Sequence, residues 1–207
     1  MLEFFGLNLH VFKTIFKMKK LLPFIFLFFT IILFAQTKNV TSSEIRWKGY
    51  KTLKAEALSH NGTLKLKSGN LLVKGSEIAG GNFVMDMTSM DSEDLNGNPK
   101  LKKMFENHLK SDDFFDAAKY PVSTYQIKSV RKLNGGVFNY QINGVLTIKG
   151  ISKNVNFPAK VSQINDEIKL TSARFTFNRK SFGLNYNIFE DMLISNDVEM
   201  NISIVAK

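Results

Sequence analysis

The sequence predicts an all-β domain, an antiparallel sheet curled on itself with one helix inserted between strands. Three observations predict it. Apolar and polar residues alternate in many short runs, clusters rich in glycine and asparagine separate the runs, and one stretch alone switches to helical spacing. Successive strand side chains point to opposite faces, so a period of two makes one apolar face and one wet face.

The alternating runs follow in chain order. Ile45 and Trp47 alternate with Glu44, Arg46 and Lys48, and Leu64 and Leu66 with Lys65 and Lys67. Phe83, Met85 and Met87 alternate with Val84, Asp86 and Thr88. Across 137–149 the even positions are Phe138, Tyr140, Ile142, Gly144, Leu146 and Ile148, set against Asn139, Gln141, Asn143, Thr147 and Lys149. Phe175 and Phe177 alternate with Arg174, Thr176 and Asn178, and Val198, Met200, Ile202 and Ile204 with Glu199, Asn201 and Ser203. Weaker pairs are Tyr125/Ile127, Val155/Phe157 and Ile168/Leu170. The expected turns are His60-Asn61-Gly62, Ser68-Gly69-Asn70, Gly80-Gly81-Asn82, Asn134-Gly135-Gly136, Lys149-Gly150 and Asn165-Asp166, because glycine and asparagine tolerate the positive φ of tight hairpins. About eight or nine strands with one wet face each fit an antiparallel barrel or a sandwich, which alternation does not separate. From Asn98 to Lys110, Leu101, Met104, Phe105, His108 and Leu109 recur at helical spacing, with Pro99 where a first turn tolerates it. This predicts a helix of about three turns.

The first 35 residues read differently. Met18-Lys19-Lys20 precedes an uncharged run from Leu21 to Phe34, and Ala35-Gln36 opens a polar stretch. A basic region, a short apolar run and a small residue at the exit make a secretory signal. A spanning helix needs about 20 apolar residues, so a cleaved signal is expected over an uncleaved anchor. The expected division is a signal peptide at 1–35, cut near Ala35, and a domain at 36–207 that is periplasmic or secreted. Residues 1–17 are long for a signal's basic region, and Met18 is the better start.

Charge and cysteine content narrow the function. The chain has 28 Lys+Arg and 18 Asp+Glu; four and one of these precede residue 36, leaving 24 against 17, a net +7. A basic surface favours loose attraction to anionic membranes. Nucleic acid is not expected, because the lysines are scattered rather than clustered with aromatics. With no cysteine, neither a disulfide framework nor a lipid-modified cysteine is available.

His108-Leu-Lys-Ser-Asp-Asp-Phe-Phe-Asp-Ala-Ala-Lys-Tyr-Pro121 reads as a helix end running into a strand. Upstream stands Gly80-Gly-Asn-Phe-Val-Met-Asp-Met-Thr-Ser-Met90, and downstream Gly144-Val-Leu-Thr-Ile-Lys-Gly-Ile-Ser-Lys153 with Phe157-Pro158, Phe177-Asn-Arg-Lys-Ser-Phe-Gly183 and Asn196-Asp-Val-Glu199. The first looks like the hallmark, and the others are similar, in order, to the further signatures, of the YceI-like, or polyisoprenoid-binding-like, family. Asn178 stands where the family more often has Asp, and Ser152 where Thr is usual. The resemblance implies a lipocalin-like antiparallel barrel of eight strands with a short helical insertion and an apolar ligand threaded inside.

The expected function is to sequester or carry an isoprenoid-type lipid, a quinone or a polyprenyl lipid, with no other cofactor. The candidate channel residues are Phe83, Met85, Met87, Phe138, Tyr140, Ile142, Phe175 and Phe177, with Phe105, Leu109, Phe114 and Phe115 at a barrel end. The structural alternative for the first group is an ordinary packed core. For the second group, with Tyr120, it is the stapling of helix to barrel. His60 and His108 read as structural histidines, since no third histidine or cysteine completes a metal site after residue 35 and no ligand spacing is present. No nucleophile motif such as G-x-S-x-G occurs, so no catalytic residue is assigned and an enzyme is not expected. Lys102, Lys103, Lys110 and Lys119 surround the helix and could meet an anionic headgroup or membrane, or simply face solvent. A homodimer is left open; the rivals to the carrier are a stress-related interaction protein whose barrel is simply filled by side chains and, behind it, an enzyme acting on a lipid-like substrate.

Overall fold

The computed structural model describes residues 35–51, 59–185 and 194–207. The expected signal segment, apart from Ala35, lies outside the described residues. Nine strands follow in order: β1 (Gln36–Lys51), β2 (Ser59–Lys74), β3 (Glu77–Ser92), β4 (Val122–Lys132), β5 (Tyr140–Ile148), β6 (Ile151–Ile164), β7 (Glu167–Ser172), β8 (Phe175–Asn178) and β9 (Ile194–Ala206). Each strand from β1 to β6 pairs antiparallel with the next; β7 and β8 both pair with β9, and β9 pairs with β1 to close the sheet.

The closed ring has eight positions, because β7 and β8 share one edge of β9. Thr171 opposes Ser203 and Phe175 opposes Met200, so four steps on one side meet three on the other. That single extra residue, at Ala173-Arg174, is a bulge in one interrupted strand. This is the eight-stranded antiparallel barrel with a short helix that the resemblance implied. The helix α1 (Pro99–Lys110) starts where Asn98 accepts the Leu101 N–H at 3.1 Å through its side chain, with Pro99 at the first position.

Three of the six expected turns are turns. At Lys149-Gly150 both residues have positive φ, 50° and 75°, as a two-residue hairpin between Ile148 and Ile151 requires. Asn165-Asp166 joins β6 to β7, and the Asn134-Gly135-Gly136 loop joins β4 to β5. The other three glycine signals lie inside strands. A Cβ on Gly62 would stand 1.7 Å from the Asp91 carbonyl oxygen, one on Gly81 2.6 Å from that of Asn70, and one on Gly69 2.9 Å from the Phe83 ring. Those glycines let long, coiled strands approach closely, beside register shifts in the β2–β3 pair. The β2–β3 turn falls instead at Gly75-Ser76. The expected strand at 137–149 begins only at Tyr140, which leaves Phe138 in the preceding loop.

The barrel has two unlike ends. At one, the starts of β1, β5, β7 and the ends of β2, β6 and β9 bring together Leu71, Val73, Tyr140, Ile142, Ala159, Ile168 and Ala206, all buried. At the other, α1 and the loop after it sit beside the ends of β1, β3 and β5. The Glu106 carboxylate accepts the Ser92 N–H at 2.8 Å, and Lys149 Nζ donates to the Phe114 carbonyl at 2.8 Å.

Candidate functional site

Inward side chains fill the base end but not the helix end. A cavity of ≈ 340 Å³ opens toward the helix, lined almost wholly by apolar atoms. An eight-stranded barrel is just wide enough either to be filled or to hold one small ligand, and this barrel does each in a different half.

Nine of the twelve candidate residues line the chamber: Phe83, Met85 and Met87 from β3, Phe175 and Phe177 from β8, and Phe105, Leu109, Phe114 and Phe115 from α1 and the loop after it. Three do not. Tyr140 and Ile142 lie on the inner face but belong to the packed base, buried at 8% and 0% exposure. Phe138 is outside the strand, half-buried in a loop. The period-two pattern fixes which face a residue takes but not its height along the barrel, so it placed Tyr140 and Ile142 with the lining; it extended through Phe138 because alternation does not mark where the strand starts. Tyr120 is not part of the lining either; it packs near Gly150.

The lining also includes residues that alternation marked but the functional reading did not select. Trp47, Leu64 and Leu66 come from β1 and β2, Tyr125 and Ile127 from β4, Leu170 from β7, and Val198, Met200, Ile202 and Ile204 from β9. Tyr125 crosses the inner wall. Its hydroxyl donates to the Val155 carbonyl at 2.9 Å, two strands away, and its ring passes over Gly144 on the strand between. A Cβ on Gly144 would stand 2.4 Å from that ring, so only glycine leaves room. Burial pushes the phenol pKa well above its ordinary value. Phe157 lies 5.6 Å from the Tyr125 ring and stacks on Phe175 at 4.5 Å, which continues the aromatic wall to β8.

Polar groups gather at the helix end of the chamber. Tyr50, Lys51, His60, His108, Ser123, Arg179 and Ser195 all reach its lining. Arg179, 1% exposed, donates to the backbone carbonyls of Ser195 (3.0 Å), Leu184 (2.6 Å) and Ile194 (3.3 Å). His60 Nδ1 meets an Asp94 carboxylate oxygen at 2.7 Å, and the other oxygen accepts the Asn61 N–H at 2.9 Å. The His60 ring packs on Phe105, centroids 4.3 Å apart. Both histidines read as structural therefore also border the chamber. No alternation marks such rim residues; His108 and Arg179 fall in stretches that carry the family resemblance and His60 in an expected turn, but nothing in those stretches points to a chamber rim.

Of the four lysines around α1, Lys102 pairs with Asp91 at 2.6 Å and Lys110 lies 3.9 Å from Glu106. The hydrogen bond to Asp91 raises the Lys102 pKa. Lys103 and Lys119 are exposed. Among the described residues no helix is long and apolar enough to cross a membrane, and no group of three or more His, Cys, Asp or Glu is placed to hold a metal.

Fold and chamber define a class: a small closed antiparallel barrel, packed at one end and hollow beneath a helix at the other. Within that class the chain belongs to the YceI-like domain family, which it matches over residues 37–206. It is 35% identical over 101 residues to protein YceI of Escherichia coli O157:H7, covering 48% of this chain and 51% of that one. It is 32% identical over 88 residues to a UPF0312 protein of Staphylococcus aureus, covering 40% and 47%. These matches span about half the length of the curated relatives. Among solved structures, Burkholderia cenocepacia BcnA superposes with a TM-score of 0.65 at 22% identity, over 80% of this chain and 96% of that one. A polyisoprenoid binding domain from Saccharophagus degradans superposes with a TM-score of 0.59 at 12% identity, over 84% and 98%. At those identities the likeness is one of fold.

Proposed function

We propose that this protein binds the apolar chain of an isoprenoid-type lipid inside the barrel and so sequesters or carries it, without turning it over. The observation that carries the reading is the ≈ 340 Å³ chamber, apolar along its walls and polar only near its helix end. Moving a hydrocarbon chain from water into such a chamber is favourable in proportion to the area removed from water. Met85, Met87, Met90 and Met200 in the lining suit a chain of irregular shape, since thioether side chains adapt to what they contact. The rim side chains Tyr50, Lys51 and His60 carry polar groups suited to a quinone carbonyl or a phosphate. The Saccharophagus domain of the same fold is described as binding polyisoprenoid, which agrees with this reading. Export by the segment before Ala35 would place the carrier outside the cytoplasm.

A second observation bears on delivery. Beside the chamber, α1 exposes Met104 (63%) and Leu101 (39%) next to Lys100 and Lys103. Apolar side chains flanked by lysines suit transient contact with an anionic membrane, from which a lipid would enter past Phe114 and Phe115. Weaker vesicle binding at high salt is the expected sign. Phe114→Ala is expected to speed lipid exchange; unchanged exchange and occupancy at unchanged melting temperature would remove the entrance role.

The reading is tested by native mass spectrometry of the protein purified without detergent, with lipid extraction alongside. A discrete added mass that extracts as an isoprenoid is expected. A protein that stays free of ligand after incubation with quinones and polyprenyl lipids would overturn the reading. Turnover of a lipid substrate that His60→Ala or His108→Ala abolishes would replace it with an enzyme.

A further inference from the structure

The chamber ends partway along four neighbouring strands, β5, β6, β7 and β9. On β6, Phe157 lines it while Ala159, two residues on, has no exposure. On β7, Leu170 lines it while Ile168 is sealed at 1%, and on β9, Ile204 lines it while Ala206 is sealed. On β5, Leu146 lines it and Ile142 does not; Gly144 between them lies under the Tyr125 ring. These are same-face neighbours, so the change from lining to sealed marks a floor and not a change of face. Tyr125 is held there by its hydrogen bond to Val155, with its ring against Gly144 of β5.

We infer that this floor makes the chamber blind and sets an upper limit of about fourteen carbons on the chain it encloses; the inference rests on the lipid-binding reading above. The limit follows from volume. An apolar cavity of about 150 Å³ takes one benzene, about six heavy atoms. At the same packing, ≈ 340 Å³ takes about fourteen, close to three prenyl units. A longer chain leaves its remainder at the helix end, outside the barrel. The favoured ligands are therefore short amphiphiles of sesquiterpenoid or medium fatty-acyl length, and a long polyprenyl lipid gains nothing inside from its additional units.

The test is calorimetric titration of the purified protein with straight-chain carboxylates of eight to twenty carbons, each below its aggregation concentration. Affinity is expected to rise about fourfold per added methylene until the chain reaches about fourteen carbons, then to stay flat. Ile168→Ala, which opens space directly beneath Leu170, is expected to move the break by about three carbons, the number of heavy atoms removed. Ile168→Val is the milder variant that keeps the test available where alanine does not fold, with a shift of about one carbon. A rise that continues unbroken to twenty carbons overturns the floor, as does a break that stays in place in a folded variant. No saturable binding at any length is a separate result, which removes the lipid-binding reading and the limit with it.

Discussion

The two halves of this barrel share the same strands and the same inward alternation, yet one is packed and the other is hollow. In the base half, Leu71, Val73, Ile142, Ile168 and Ala206 are at most 1% exposed, and small inward residues such as Gly81 and Ala159 let neighbours close over the axis. In the chamber half, Leu64, Leu66, Leu146, Val198, Met200 and Ile202 face inward too, but remain partly exposed because no side chain opposite fills the axis. Stability and capacity are thus divided along the barrel. The base supplies close packing, with its loss of contacts on truncation, and the chamber leaves apolar surface for a ligand to cover.

The largest expected effect breaks the base. Ile142→Ala should cost about 2–5 kcal/mol in thermal or denaturant unfolding. Leu66→Ala, the same kind of truncation beside an existing cavity, should cost about 1 kcal/mol while weakening lipid binding. Equal costs at the two sites would erase the distinction between the halves.

The boundary between them comes next. Gly144→Ala drives a methyl into the Tyr125 ring and the Gln126 carbonyl, and should destabilise by about 1–3 kcal/mol. Combining it with Tyr125→Ala should recover part of that loss, since one of the two clashes is gone. Strict additivity in the double-mutant cycle would mean that the ring does not rest on Gly144.

Tyr125→Phe is a smaller change, about 1 kcal/mol, because it deletes one buried hydrogen bond and keeps the ring. Its pH dependence sharpens the point. Burial raises the folded phenol above the unfolded value of about 10, so above that pH the unfolded chain binds fewer protons than the folded one. Tyr125 therefore costs no stability below about pH 10 and a growing amount as pH rises toward the folded pKa. Unfolding curves from pH 8 to 11 should fall more steeply at the alkaline end for the wild type than for Tyr125→Phe.

Much of this was legible beforehand, for identifiable reasons. Alternation depends on the strand's own geometry, so the inward faces at Ile45/Trp47, Phe83–Met87, Phe175/Phe177 and Val198–Ile204 could be read directly. The helix could be read from Asn98, Pro99 and the apolar spacing that follows. Height along the axis could not, because it depends on how far each strand is sheared against the next. Tyr140 and Leu146 share strand and face, yet one lies in the base and the other lines the chamber. Glycine misled in a related way. Gly62, Gly69 and Gly81 carry the composition of a turn, but what they accommodate is an atom from a neighbouring strand, which local sequence does not contain. The rim at His60, Arg179 and Ser195 is likewise assembled from elements far apart in the chain.

Trp47 allows the central claim to be tested inside the chamber. It is the chain's single tryptophan, it lines the cavity, and its indole N–H donates to the Thr63 carbonyl at 3.2 Å. The measurement is quenching of its fluorescence by a bromine-labelled fatty acid or prenyl lipid, titrated below the lipid's aggregation concentration. A chain that enters the chamber brings bromine close to the indole, so saturable quenching at one lipid per protein is predicted. Emission that stays unchanged, or declines without saturation as it does for free tryptophan, would contradict the account.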